Sequence, residues 1–360
     1  MTAEREFVWF ALPFAAGVLA AAYLSGTFSS CTTAGASLSG LATALALACL
    51  MLCRHYHFSD IRITASTAAA ALFCGLSACF TATEISVWNP LSLDRLKDIG
   101  RVFADAIGSV PFSDERTKAL LKALITGIKD DVPKEVITAF RSSGASHILA
   151  LSGFHLGIIY SVAKAILIPV GHKRIRSVLI LLLCGGYTLI TGACPSITRA
   201  FLFIFLHETA SLTGRKTHPA QIFMTALVLQ LIISPMSAKD VGFQLSYAAM
   251  AGIIFIFPHL RALWPENSRK GIMKRIWNSA ALSISCQIST GPLVWVYFNS
   301  FPVNFLLTNL IAVPLTGIII PAALAVTAAF HSGICPESAV RLTEFLVRML
   351  YRSLEIISAM

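Results

Sequence analysis

Uninterrupted apolar runs, each near the roughly 20 residues needed to cross a bilayer, recur along this chain and constrain its fold more than any motif does. They cover residues 7–25, 35–53 and 63–82, then 148–170, 177–192, 197–213, 219–234, 242–259, 277–297 and 305–330. A membrane β-barrel needs short strands of alternating polarity, and these runs do not alternate. The expected fold class is therefore all-α: a polytopic helical membrane protein with about ten transmembrane helices plus amphipathic surface helices. Hydrophobic residues at 56%, charged residues at 13% and a mean hydropathy of +0.74 exclude an ordinary soluble domain.

The formal charge of +10, from 28 Lys and Arg against 18 Asp and Glu, is read first through topology. Arg54 and Arg62, then Lys173, Arg174 and Arg176, then Arg215 and Lys216, then Arg261, Arg269, Lys270, Lys274 and Arg275 fall in every second loop. Under the positive-inside rule these loops are cytoplasmic, as are both termini, and the chain belongs in the cytoplasmic membrane. The basic excess sets orientation and is not counted as a nucleic-acid signal. Glu4, Arg5 and Glu6 do not make the positive region of a signal peptide, so the first run stays as a membrane helix.

Four segments follow from this pattern: a three-helix membrane segment at 1–83, an extracytoplasmic amphipathic-helix region at 84–146, a membrane domain at 147–335 and a cytoplasmic-side amphipathic helix at 336–360. In the second, nine acidic residues balance nine basic ones. Leu93, Leu96, Phe103, Ile107 and Val110, and later Leu120, Leu121, Leu124, Ile125 and Ile128, recur at helical spacing, as expected of helices on the membrane surface or capping the bundle. In the last, Arg341, Glu344, Arg348, Arg352 and Glu355 share one face and Leu346, Leu350, Leu354 and Ile357 the other, as expected of a helix lying flat at the interface.

Polar side chains align inside several runs. Between Arg141 and Ile159, His147, Ser152 and His155 fall on one face of a helix, with Gly153 and Gly157 nearly opposite at a spacing that admits a close neighbour. Ser196, Arg199 and His207 share a face, as do Asp240, Gln244 and Tyr247, and Ser279, Ser283, Cys286, Gln287 and Thr290. Asn304 and Asn309 precede Pro314 and Pro321, which predict a re-entrant segment or a kink. Each stripe has two readings, lining a hydrated path or hydrogen-bonding across helices. Glu208 and Lys164, near cytoplasmic ends, are expected to snorkel.

The nine cysteines lie mostly in apolar runs and form neither a C-x-x-C pair nor a metal-like spacing. They are read as packing residues, with a Cys31–Cys194 bridge as a minor alternative. His55, His57 and Asp60 suggest a metal-hydrolase fragment that nothing completes, so no metal and no cofactor are expected.

The run from Gly144 through S-H-I-L-A-L-S-G-F-H-L-G resembles the signature of the ComEC-type competence family, the inner-membrane channels for DNA uptake. T-G-A-C-P-S-I-T-R-A at 191–200, D-V-G-F-Q-L-S-Y-A-A at 240–249 and F-P-V-N-F-L-L-T-N-L at 301–310 resemble the same family in the same order. The resemblance implies a channel for import of single-stranded DNA across the cytoplasmic membrane during natural transformation. It also implies an extracytoplasmic DNA receptor and a cytoplasmic translocating ATPase as partners. Compared with longer members, 84–146 has too little β-patterned sequence for an OB-like domain and nothing after Met360 supplies a metallo-β-lactamase-like one, so no nuclease activity and no enzyme are expected.

Two other readings stay open. The fold could carry another polar solute or be an inactive remnant of the family. Ser152 and His155 could be nucleophile and base of an intramembrane hydrolase, although neither an orienting acid on that helix nor a G-x-S-x-G turn accompanies them.

Overall fold

A computed structural model describes residues 11–20, 67–69, 71–72, 74–75, 93–214, 218–264, 271–299, 304–334 and 336–359. All regular structure among the described residues is helical. In chain order the helices are α1 (Ala11–Ala20), α2 (Leu93–Gly108), α3 (Glu115–Thr126), α4 (Lys134–Ser142), α5 (Ser146–Leu149), α6 (Gly153–Ile166), α7 (Lys173–Ile190) and α8 (Pro195–Leu212). Then come α9 (Pro219–Ile233), α10 (Val241–Ala251), which passes through a π-helical turn (Gly252–Ile256) into α11 (Phe257–Ala262), α12 (Ile272–Phe298), α13 (Phe305–His331) and α14 (Glu337–Ser358). The expected run at 35–53 and the loop with His55, His57 and Asp60 lie outside the described residues.

Each later apolar run is a helix within a few residues of its expected bounds, apart from the first. Two helical stretches are both long and apolar enough to cross a membrane, Val241–Ala262 and Phe305–His331; Ala11–Ala20, Gly153–Ile166 and Pro219–Ile233 are apolar but shorter. Pro314 and Pro321 sit inside α13 without interrupting it, so the re-entrant alternative gives way to one continuous 27-residue helix.

Contacts divide the chain into two compact units, 1–90 with 214–251 and 91–213 with 252–360. In the first, Gly17 lies against the Leu72 backbone and Gly75 against that of Phe14, so neither position has room for a side chain and two helical stretches meet at backbone distance. Phe14, Val18 and Ala71 are buried there.

In the second unit α13 is the axis. It packs against α14 and α12 and also touches α2, α3, α5 and α6, while α6, α7 and α8 pack on one another. The apolar faces of the amphipathic helices join this core: Ile107, Leu121, Leu124, Ile125, Leu350 and Leu354 are fully buried in one cluster with Ile319, Ile320 and Ala323 of α13.

The helices of 84–146 pack their apolar faces on α13, as expected of helices that cap a bundle. Thr308 Oγ1 at one end donates to the Ser143 carbonyl oxygen at 2.6 Å, and His331 Nε2 at the other lies 3.5 Å from Ser109 Oγ. The helix of 336–360 packs on the same axis. It runs back along α13, and its Ile357 carbonyl oxygen accepts from Asn304 Nδ2 at 3.2 Å where α13 begins. α14 also packs on α3 and α4, which joins the segments 84–146 and 336–360. The end of α14 and Ser143 both lie at the start of α13.

Candidate functional site

The stretch from Gly144 to Gly157 is not one helix. α5 ends at Leu149, Ala150 and Ser152 are extended, and α6 starts at Gly153. Ser152 is the N-cap, and its backbone N–H donates to His155 Nδ1 at 3.3 Å while its hydroxyl lies 3.0 Å from the same nitrogen. Each residue meets a polar group that the other leaves at the helix end, which is why the chain breaks here instead of continuing the apolar period. The predicted shared face is thus divided: His147 is exposed on α5, and His155 is fully buried on α6. His155 Nε2 makes no hydrogen bond among the described residues, although the Ile148 backbone lies near the ring. The same cap accounts for the Ser–His proximity that suggested a hydrolase.

The two glycines separate as well. A Cβ on Gly153 would lie 3.1 Å from that of Ala200, so α6 and α8 approach closely there; nothing stands within 4 Å of one on Gly157. Only the first serves the expected close contact.

On α8, Ser196 is half-buried, Arg199 is buried and engaged with other groups, and His207 is exposed, so the three do not act as one face. The residue that joins the helices is Glu208. Instead of snorkelling it is buried, and its carboxylate accepts from Tyr160 Oη of α6 at 2.8 Å and from Ser177 Oγ of α7 at 2.5 Å. Lys164 does remain exposed, with Nζ 5.6 Å from the centroid of the Tyr160 ring. Three hydrogen-bonding groups from three helices meet at a depth where a bare carboxylate would be costly.

In the first unit the predicted stripe holds helices in place. Asp240 caps α10, accepting from the N–H groups of Gly242 and Phe243 at 3.2 and 3.1 Å. Gln244 Nε2 donates to the Ala238 carbonyl oxygen at 2.9 Å, and Tyr247 Oη donates to Gln230 Oε1 of α9 at 3.0 Å while its ring packs on Phe223 and Phe243. Asp240 therefore ends the helix instead of lining it.

Along α12 the closest packing is made by Ser285 and Ser289, which leave no room for a Cβ on Gly252. Ser283 and Gln287 are half-buried on other faces. Gln287 Nε2 is itself buried and makes no hydrogen bond among the described residues, as are Asn309 Oδ1 and Thr316 Oγ1 on α13. The two helices that carry these residues, α12 and α13, are in contact. Buried polar atoms lacking partners cost roughly 1–3 kcal/mol each unless water or a ligand meets them. Asn304 is taken up structurally in its bond to Ile357.

Outside this core Glu344 of α14 pairs with Arg348 at 2.6 Å. Burial alone would raise its carboxyl, but the Arg348 guanidinium and the Ser113 hydroxyl and amide outweigh burial and hold it below the ordinary range. Cys194 carries a free thiol, and Cys31 lies outside the described residues.

A family model described as "Competence protein" matches residues 124–360. ComE operon protein 3 of Bacillus subtilis (strain 168) is 29% identical over 208 residues, 57% of this chain and 26% of that protein. The uncharacterized protein YcaI of Escherichia coli (strain K12) is 27% identical over 230 residues, 60% of this chain and 29% of its own length. Competence protein ComA of Neisseria gonorrhoeae is 25% identical over 204 residues, with coverages of 54% and 28%. The chain thus spans little more than a quarter of each of these relatives. No solved structure matches it.

Proposed function

The chain belongs to the competence protein family, and from that premise we propose that it is a channel, not an enzyme, importing single-stranded DNA across the cytoplasmic membrane during natural transformation. The observation that carries this reading is the set of buried, unpartnered polar atoms His155 Nε2, Gln287 Nε2, Asn309 Oδ1 and Thr316 Oγ1, on helices α6, α12 and α13, of which α13 touches both others. A polyanion cannot cross hydrocarbon, and it needs a path with polar walls. Polar groups facing a hydrated seam are satisfied by water, whereas the same groups in a dry core are a standing cost.

In this reading the helices of the second half, with those of the first, form a polytopic bundle of about ten spans, with the Lys- and Arg-rich loops cytoplasmic. The start of α13, Ser143 and the C-terminus then share the extracytoplasmic side. A DNA receptor delivers the strand there, and a translocating ATPase draws it from the cytoplasmic side. The relatives named for competence favour this cargo over another polar solute.

Deleting the gene and following labelled DNA tests the reading. Binding of DNA at the cell surface persists and its arrival in the cytoplasm stops; unchanged arrival rejects the channel. Restoring the gene with Gln287→Leu is expected to return the protein to the membrane without restoring import.

A further inference from the structure

At the cytoplasmic side of the proposed topology, α11 and α12 meet around two adjoining cavities of about 340 and 400 Å3 that share Lys274. Arg261 and Trp264 line the first and Arg275 and Asn278 the second, with no carboxylate among the described lining residues. Both volumes fall in the range of roughly 300–1,000 Å3 typical of small-ligand sites. The Trp264 and Trp277 rings lie 6.1 Å apart, and the Nε1 donors of both are buried without a hydrogen-bond partner among the described residues. Asn278 Oδ1, an acceptor, is in the same condition. No side chain caps α12 at Gly271, so its first amides add partial positive charge to the same place.

Apolar side chains adjoin these cations along the chain: Ile272 lines the second cavity, and Leu263, Ile272 and Met273, close in sequence to Trp264 and Lys274, are 67%, 73% and 61% exposed. A site for a free anion has no use for such neighbours, and they are unfavourable against water. Cations and an indole donor beside exposed apolar side chains match the order of groups in a phospholipid, with the phosphate inward and the acyl chains outward.

We propose that α11 and α12, where they meet, hold the headgroup of an anionic phospholipid. Arg261, Lys274 and Arg275 take the phosphate, the Trp264 indole N–H donates to one of its oxygens, and Asn278 Oδ1 accepts from a headgroup hydroxyl. The inference rests on the membrane placement of these helices and not on DNA as the cargo.

The test uses the full chain in nanodiscs of dioleoylphosphatidylcholine, titrated with dioleoylphosphatidylglycerol and read by thermal unfolding and by lipid retained in native mass spectra. Phosphatidylglycerol is expected to raise the unfolding temperature and to stay bound. Removing two cations (R261A with K274A) should weaken it on the order of thirtyfold. Trp264→Phe, which keeps the ring and removes the donor, should weaken it less. Unfolding of the variants in phosphatidylcholine alone must match the parent, which separates loss of the site from loss of the fold. Equal retention of the two lipids overturns the proposal. So does binding of a single-stranded oligothymidylate that depends on Arg261 and Lys274 while lipid identity makes no difference, an outcome that would assign the cavities to nucleic acid. Lost lipid selectivity with normal DNA import would leave the channel reading untouched.

Discussion

Glu208 of α8 accepts a 2.5 Å hydrogen bond from the Ser177 hydroxyl of α7, thirty-one residues away in sequence, and the same carboxylate takes the Tyr160 hydroxyl of α6. Three helices are thereby fixed to one another at a single buried group. Glu208→Ala strands both hydroxyls and should lower stability by roughly 1–3 kcal/mol. Glu208→Gln keeps an acceptor and should lose less. Unfolding of the detergent-solubilised protein measures the difference, and an alanine variant as stable as the parent would show that the node does not hold the helices together.

The two glycines of α6 give a sharper contrast, because they have the same sequence spacing and opposite surroundings. Gly153→Leu drives a side chain into Ala200 and should separate α6 from α8, with a loss of about 1–3 kcal/mol typical of overpacking. Gly157→Ala meets open space and gains helix propensity, up to about 1 kcal/mol. Parallel unfolding curves check the pair; equal losses at both positions would mean that the Gly153–Ala200 contact does not form.

Much of the fold was readable in the chain because an apolar run of spanning length has few fates other than a helix, and α7 to α13 lie close to the predicted runs. Helical periodicity names the face of α3 or α14 that will be buried but not what buries it, and here the partner is α13 and not lipid. The break at Ser152 was hidden because the apolar period continues through 147–159 while His155 stands where a capping Glu or Gln would have signalled a helix start. Glu208 was misread for a related reason: its partners Tyr160 and Ser177 lie on other helices, and no local pattern brings them together. Asp240, Gln244 and Tyr247 were found as a stripe, yet their hydrogen bonds to neighbouring backbone and to Gln230 give them structural work that periodicity cannot distinguish from lining.

The Glu344–Arg348 pair adds a pH dependence whose sign is set by its direction. A carboxyl held below its ordinary value of 4.5 in the folded protein stabilises the fold fully above that value. The stabilisation is then lost as the pH falls from 4.5 through the lower folded-state value. Glu344→Gln should remove this component, so the stability difference between parent and variant should be constant near neutrality and shrink in acid. A difference that stayed constant into the acid range would mean that the folded carboxyl is not held down by Arg348.

The seam between α12 and α13 carries the functional reading, and it can be probed without DNA. Gln287, Asn309 and Thr316 present buried polar atoms on facing helices, whereas Ile288, next to Gln287, is 53% exposed and apolar, as a lipid-facing position would be. In a chain whose native cysteines are replaced, single cysteines at these four positions should react differently with a membrane-impermeant thiol reagent. Thiolate forms readily only where water reaches the sulfur. If the seam is hydrated, cysteines at 287, 309 and 316 are modified and the one at 288 is not, and single-stranded DNA supplied to competent cells slows modification at 287 and 316. Protection of all four positions would place the polar atoms in a dry interior and remove the physical ground for conduction along these helices. Modification at 288 as well would mean that the helix pair stands in water and that α13 is the core of a soluble-like packing instead of a membrane span.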